Sequence, residues 1–169
     1  QSARKSWFRP ALILRLLWAY VRLLIRYIGA GKYDVLFVGY AGHLDVFPAR
    51  MLSWLSRKPL VFDAYLSIHE TVVEDRCLVK PGSLAERLLF RLEKTGCALA
   101  DLVLLDTEAN ITYFSEKYDL PREHFVRVWV GADPVFQPMV CNREDGRFRA
   151  LYFGKFIPLH GVEHIIRAA

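Results

Sequence analysis

The chain has 169 residues, of which 53% are hydrophobic and 14% aromatic, and this composition excludes an intrinsically disordered protein. Much of its net charge of +5 lies in the first 32 residues, which carry seven Lys or Arg residues and no acid. Positive charge confined to one segment weighs against nucleic-acid binding, which needs a broad basic face. The three cysteines form no Cys-x-x-Cys pair, so the sequence predicts no structural metal and a reducing, cytoplasmic location.

The first predicted element is a helix that starts at Pro10 and ends at the Gly-Ala-Gly segment 29–31. Three arginines interrupt its apolar residues and fall on one narrow stripe: Arg15, Arg22 and Arg26. These charges argue against both a transmembrane segment, which needs ~20 apolar residues, and a signal peptide. Residues 7–28 therefore form either a peripheral helix at the inner face of a membrane or a helix packed on a sheet. The packed interpretation is favoured, because a doubly wound sheet needs helices on both faces.

Beyond this helix, short apolar runs alternate with helical segments along the chain. The predicted strands cover 33–39, 59–63, 102–106 and 125–130, and the predicted helices cover 46–56, 83–99 and 108–118. Ser83 is a predicted N-cap with Glu86 as its capping-box partner, and Thr107 is a second predicted N-cap. Residues 64–82 are expected to be irregular. The alternation predicts an α/β fold in which helices flank a Rossmann-like parallel sheet.

Ligands of such folds bind beyond the carboxyl ends of the strands, so the residues that follow each strand are the candidates for function. The candidates on the cleft side are Gly42, His43, Ser67, Glu70, Thr107, Gly131 and Asp133. Asp63 closes an apolar strand and His69 follows in the next loop, and these two are the candidate catalytic residues. Alternatively, such residues are N-caps, turn residues or partners of the loop backbone, and for Thr107 the cap is favoured.

The last part of the chain contains two short motifs. The first holds Gly131, Asp133, Phe136 and Pro138, and the second holds Gly154, Lys155, His160, Gly161 and Ala168. A predicted strand over 150–153 leads into the second motif, and a helix follows it. Together the motifs resemble the domain junction of retaining glycosyltransferases of family 4, which have the GT-B fold. The resemblance divides the chain into an acceptor-side domain (1–138), a linker (139–149) and the start of a nucleotide-sugar-binding domain (150–169).

The resemblance implies an incomplete GT-B structure that is truncated at both ends. It also implies transfer of a sugar from a nucleotide-sugar to a hydroxyl acceptor, such as a lipid-linked or polysaccharide precursor, without a metal or cofactor. The donor would contact Gly154, Lys155, His160 and Gly161, with Lys155 and His160 standing where the family has Arg and Lys. Asp63 lies in or near the place of a family His that faces the acceptor and the reacting sugar.

The family also holds its donor with a Glu-x7-Glu segment from a later part of the second domain. This polypeptide alone is therefore expected to show no transfer activity. Two alternatives remain open. One is another nucleotide-sugar enzyme with the same two-domain plan, such as an epimerase. The other is a non-catalytic α/β adaptor or membrane-surface binding domain.

Overall fold

A computed structural model of the protein describes residues 10–131, 133, 135, 151–154 and 161–168. The chain divides into two units, of which the first ends at Val35 and the second begins at Leu36. The predicted donor residues Lys155 and His160, and the predicted linker 139–149, lie outside the described residues.

The first unit contains helix α1, Pro10–Ile28, and confirms the predicted start at proline. Proline suits the first turn of a helix because an N–H group there would have no partner within the helix. After α1, the Gly29 N–H group donates to the Ile25 carbonyl at 3.2 Å, and the chain turns at Gly31 with a φ of 73°. No helix in the described part of the chain is both long and apolar enough to cross a membrane.

The second unit is built on four strands: β1, Leu36–Val38; β2, Leu60–Tyr65; β3, Leu102–Leu105; and β4, Phe125–Arg127. Each strand is parallel to its neighbour, which confirms the predicted parallel sheet. The prediction of a further strand at 150–153 is wrong for residues 151–153, which are not part of a strand. These three residues pair with none of the four strands, and an unpaired strand is not stable in water.

Three helices follow the first three strands: α2, Val46–Ser56; α3, Leu84–Leu99; and α4, Glu108–Tyr118. A further helix, α5, covers Val162–Ala168. Both predicted N-caps are confirmed, since Ser83 Oγ accepts the Glu86 N–H at 3.2 Å and Thr107 Oγ1 accepts the Asn110 N–H at 3.2 Å. The Glu86 carboxylate contacts His69 instead of completing a capping box at Ser83.

The order of the strands across the sheet is β1-β2-β3-β4, without a reversal. Because such crossovers are right-handed, α2, α3 and α4 lie on the same face of the sheet. One core lies under these helices, and its buried members are Val38, Val46, Leu60, Phe62, Ala64, Cys97, Ala100, Val103, Leu105, Ile111, Phe114, Tyr118 and Phe125. The described sheet therefore lacks the strand-order reversal that the doubly wound expectation implies.

Candidate functional site

A cleft of about 370 Å³ lies beyond the carboxyl ends of β2 and β3. Its lining residues are Leu66, Ser67, Glu70, Thr71, Glu74, Asp75 and Asn110. Two of them, Ser67 and Glu70, are among the residues that the sequence predicts for the site. Three of the seven lining residues are carboxylates, two are hydroxyls, one is an amide and none is a cation. This lining suits a ligand that offers hydroxyl or amino groups, and it disfavours a phosphate.

The wall of the cleft is the connection after β2, which contains one turn of π-helix at Glu70–Asp75. Two local hydrogen bonds fix its entry. Ser67 Oγ accepts the Glu70 N–H at 3.1 Å, and Thr71 Oγ1 donates to the Ser67 carbonyl oxygen at 2.8 Å. The π-turn corrects the expectation of an irregular segment here, and turns of this type occur often at functional sites.

A fully buried carboxylate, Glu93 of α3, holds this connection from the side of the core. Glu93 Oε1 accepts the Ile68 N–H at 2.8 Å, and Oε2 accepts the His69 N–H at 2.9 Å. Oε2 also accepts from Ser67 Oγ at 2.9 Å and from the Tyr118 hydroxyl at 2.7 Å. Four hydrogen bonds satisfy the buried charge and tie the cleft wall to α3 and α4.

The pKa of Glu93 reflects two opposing effects. Burial disfavours the charged form and raises the pKa, but the His43 ring and the donated hydrogen bonds outweigh it, and the pKa lies below the ordinary 4.5. His43 Nε2 is 3.6 Å from Glu93 Oε1, which is too long for a hydrogen bond, so this contact is electrostatic. His43 is only 3% exposed and packs edge-on against Phe62. This predicted cleft residue therefore belongs to the core and does not line the cleft.

His69, a predicted catalytic residue, is buried between α3 and α4 with an exposed fraction of 6%. Lys117 Nζ lies 3.0 Å from its Nδ1 atom, and Glu86 Oε1 lies 2.9 Å from its Nε2 atom. Because an ammonium group only donates, Nδ1 is the acceptor and Nε2 carries the proton that is donated to Glu86. Both ring nitrogens are thus engaged, and His69 is not among the cleft-lining residues. In this arrangement His69 links the connection after β2 to both helices.

Asp63, the other predicted catalytic residue, occupies the half-buried side of β2, whose residues alternate between buried and half-buried. Its side chain therefore lies on the face of the sheet opposite to the core, whereas His69 lies on the helix side. Partial desolvation raises the pKa of Asp63 above its usual range. The structure does not bring the two predicted catalytic residues together on one face of the sheet.

The backbone around the end of β2 adopts two uncommon conformations. The register with β3 shifts between Asp63 and Tyr65, and Tyr65 has a φ of 53°. Ala41, which follows β1, has a φ of 69°, and the neighbouring Tyr40 ring lies edge-on to the Tyr65 ring at 5.3 Å. Left-handed conformations of residues other than glycine require support from the surrounding structure, and they concentrate at ligand sites. Tyr65, two residues after Asp63, therefore marks backbone strain at the carboxyl end of β2.

Gly42, predicted for the cleft side, has a structural explanation. A Cβ atom at this position would lie 2.5 Å from Val38 Cγ1 and 2.8 Å from the Gly39 carbonyl oxygen. The chain passes so close to its own preceding turn that a larger residue would force it to move. Gly42 thus shapes the link from β1 to α2.

Two further predicted residues fit the turn and cap alternative, whereas a third, Gly131, has no conformation or close contact that requires glycine. Thr107 is exposed and caps α4. Asp133 Oδ1 accepts the Val135 N–H at 2.9 Å, which is an Asx-type turn contact. Gly131 is exposed, with open space where a side chain would be. The contacts of Thr107 and Asp133 explain these two residue types without a ligand.

Of the predicted donor-binding residues, the structure describes Gly154 and Gly161. Gly154 is exposed, and Gly161 has a φ of 55° directly before α5. That left-handed conformation favours glycine, as expected at a tight turn.

Sequence reasoning did not include several residues of the site. They are Glu74, Asp75, Glu86, Glu93, Asn110 and Lys117. For Glu93 a signal exists, because it falls on the apolar stripe of α3 between Phe90 and Cys97, where a charge is unexpected. A charge in such a stripe indicates a buried polar network.

Comparison with known proteins does not assign the chain to a family. The chain matches no protein-family model, and it matches no curated protein. Within the described residues, no group of three or more His, Cys, Asp or Glu side chains is placed to hold a metal ion.

Proposed function

We propose that this chain is the acceptor side of a retaining glycosyltransferase with the GT-B fold, and that it acts on a hydroxyl-bearing glycan or lipid-linked precursor. The observation that carries the proposal is the cleft beyond β2 and β3, which presents hydroxyl, amide and carboxylate groups at the edge where parallel α/β sheets bind ligands. The two motifs at 131–138 and 154–168 add the resemblance to family 4.

The chemistry of the cleft supports a polyhydroxylated acceptor. Carboxylates such as Glu70 accept hydrogen bonds from sugar hydroxyls, while the Asn110 amide both donates and accepts. The Asn110 amide is held in place because its Nδ2 donates to Asp106 Oδ1 at 2.6 Å. An ordered set of such groups can orient a sugar without a metal or cofactor.

From the resemblance to family 4 alone we assign the reaction to Asp63, which does not line the cleft and lies on the opposite face of the sheet. The acceptor would have to extend from the cleft past the end of β2 to reach it. The Asp63 carboxylate would accept a proton from the acceptor hydroxyl or stabilise positive charge on the reacting sugar. The raised pKa of Asp63 makes the carboxylate a better base than an ordinary aspartate. His69 has a supporting role, because its ring nitrogens already bind Glu86 and Lys117.

The nucleotide-sugar is assigned to the other motif, since the acidic cleft would repel a diphosphate. Gly161 directly precedes α5, and glycine at such a position allows a diphosphate to approach the backbone. In this assignment Lys155 supplies positive charge and His160 a hydrogen-bond donor.

The first experiment tests acceptor binding by the chain itself. Ligand-observed NMR with short neutral oligosaccharides should show binding that weakens about 5–10-fold in Glu70→Gln, for one lost charged hydrogen bond. Glu116→Gln is the control, because it removes an exposed carboxylate of α4 outside the cleft. Equal binding by both variants, or none by the wild type, would contradict the assignment of the cleft.

The second experiment tests the reaction in the enzyme that contains the donor side. Asp63→Asn should lower kcat about 100-fold or more with little change in acceptor KM, as for loss of a catalytic base. Glu116→Gln should leave kcat unchanged. An unchanged kcat in Asp63→Asn would remove Asp63 from the mechanism, and absence of transfer with every nucleotide-sugar would favour the non-catalytic adaptor.

A further inference from the structure

Helix α1 presents an unusually continuous apolar surface. Every residue from 13 to 26 is exposed, and the exposed fractions reach 58% for Leu17, 62% for Trp18 and 62% for Ile25. Water-soluble proteins rarely leave so many neighbouring apolar side chains exposed unless they form an interaction surface.

The charges of α1 form a pattern of their own. Arg15, Arg22 and Arg26 lie at spacings of seven and four residues, which places all three within an arc of about 40° on the helix. The helix contains no acidic residue that could neutralise them. An Arg side chain can lie along apolar surface while its guanidinium group reaches outward. The stripe is therefore a row of cations without local counter-charges in a helix that is otherwise apolar.

We propose that α1 binds the surface of a membrane that contains anionic phospholipids. The helix lies in the plane of the interface, with its wide apolar surface in the acyl boundary and its arginines against lipid phosphates. A protein groove would cover one side of α1 and leave the rest of its apolar surface in water. A bilayer interface accommodates the whole apolar arc, and its negative charge complements the arginine stripe. This inference is independent of the proposed transferase activity.

The test is sedimentation of the intact chain with vesicles of phosphatidylcholine alone or of phosphatidylcholine and phosphatidylglycerol at 7:3. We expect binding to the mixed vesicles at 0.1 M NaCl, and loss of binding on neutral vesicles and at 0.5 M NaCl, because salt screens the attraction. Arg22→Gln with Arg26→Gln should weaken binding about 25-fold, from about fivefold for each charge near the surface.

The matched control is Arg87→Gln with Arg91→Gln, which removes the same charge from two exposed positions on α3. Its affinity for the mixed vesicles should stay within about twofold of the wild type if the arginines of α1 supply the charged contact with the bilayer. If both double variants weaken binding equally, the net charge of the protein binds lipid and the assignment to α1 is wrong.

A second variant tests the apolar component. Leu17→Ser with Trp18→Ser should weaken binding at least about tenfold, for the apolar area that no longer leaves water. Circular dichroism should show that the remaining chain stays folded. Equal binding to neutral and mixed vesicles would overturn the proposal. A wild-type oligomer that binds no vesicles, and that the Ser variant converts to monomer, would assign the surface to protein contact instead.

Discussion

Replacement of Glu93 by Gln is the sharpest test of how the cleft is held together. The substitution keeps the shape of the side chain but removes its charge and changes one accepting oxygen to a donating NH2 group. If the amide oxygen takes the place of Oε2, it still accepts from Ser67, His69 and Tyr118. The NH2 group then faces the Ile68 N–H, and two donors meet in a buried site.

The magnitude follows from these four contacts. A buried donor without an acceptor costs about 1–3 kcal/mol, and loss of the charge weakens the three remaining hydrogen bonds by about 0.5–1 kcal/mol each. The free energy of unfolding of Glu93→Gln should therefore fall by about 2.5–6 kcal/mol, a large part of the stability of an ordinary domain. Tyr118→Phe, which removes one donor only, should cost about 1 kcal/mol.

The pH dependence gives an independent check. The pKa of Glu93 in the folded chain lies below its ordinary 4.5, so the unfolded chain binds more protons just below that pH. The stability that Glu93 contributes is thus fully present above pH 4.5 and is lost as the pH falls through the folded-state pKa. The difference between wild type and Glu93→Gln should shrink in that range.

Urea unfolding followed by circular dichroism measures both effects, at pH 7 and in steps down to pH 3.5. The slope of free energy against urea should be the same for both proteins if only the native contacts change. A Glu93→Gln variant as stable as the wild type at pH 7 would show that the buried carboxylate does not hold the cleft wall. A stability difference that is constant with pH would show that its charge is unimportant.

Three further changes test the frame around the site. In thermal denaturation, Gly42→Ala should lower the free energy of unfolding by about 2–4 kcal/mol through steric conflict. Gly131→Ala, which has open space around it, is the control and should be nearly neutral. Ser83→Ala removes the N-cap of α3 and should cost about 1 kcal/mol, and Ser83→Gly only a few tenths. Burial raises the pKa of Cys97, so peptide mapping after alkylation of the native protein should find Cys77 modified and Cys97 protected.

The sequence predicted well those features that depend on local patterns. The bounds of α2 are those expected, and the caps at Ser83 and Thr107 are in place, because capping needs only residues three positions apart. The four described strands follow from short apolar runs, although β4 ends at Arg127 rather than Val130. Pairing with β3 determines that end, and pairing is not encoded in the run itself.

The parts of the site that sequence reasoning missed depend on contacts between distant positions. Glu93 reaches a loop that lies 24 to 26 residues earlier, and Lys117 meets His69 across 48 residues. Similarly, alternation along β2 identifies the two sides of the strand, but only the strand order shows which side the helices cover. Asp63 and His69 are only six residues apart and were expected in one site, but their side chains lie on opposite faces of the sheet.

The uninterrupted strand order has a consequence for how the chain acquires its structure. Each described strand after β1 pairs with the strand that was completed just before it, so none of these four strands must wait for a partner from a later part of the described sheet. Compared with a sheet whose strand order reverses, this order closes shorter loops, although parallel pairing itself is slow to form. During synthesis, the sheet can grow one βα unit at a time as the chain leaves the ribosome. Tyr118, supplied by α4, then completes the set of donors around Glu93, so the cleft wall becomes fully fixed only after β3 and α4 have formed.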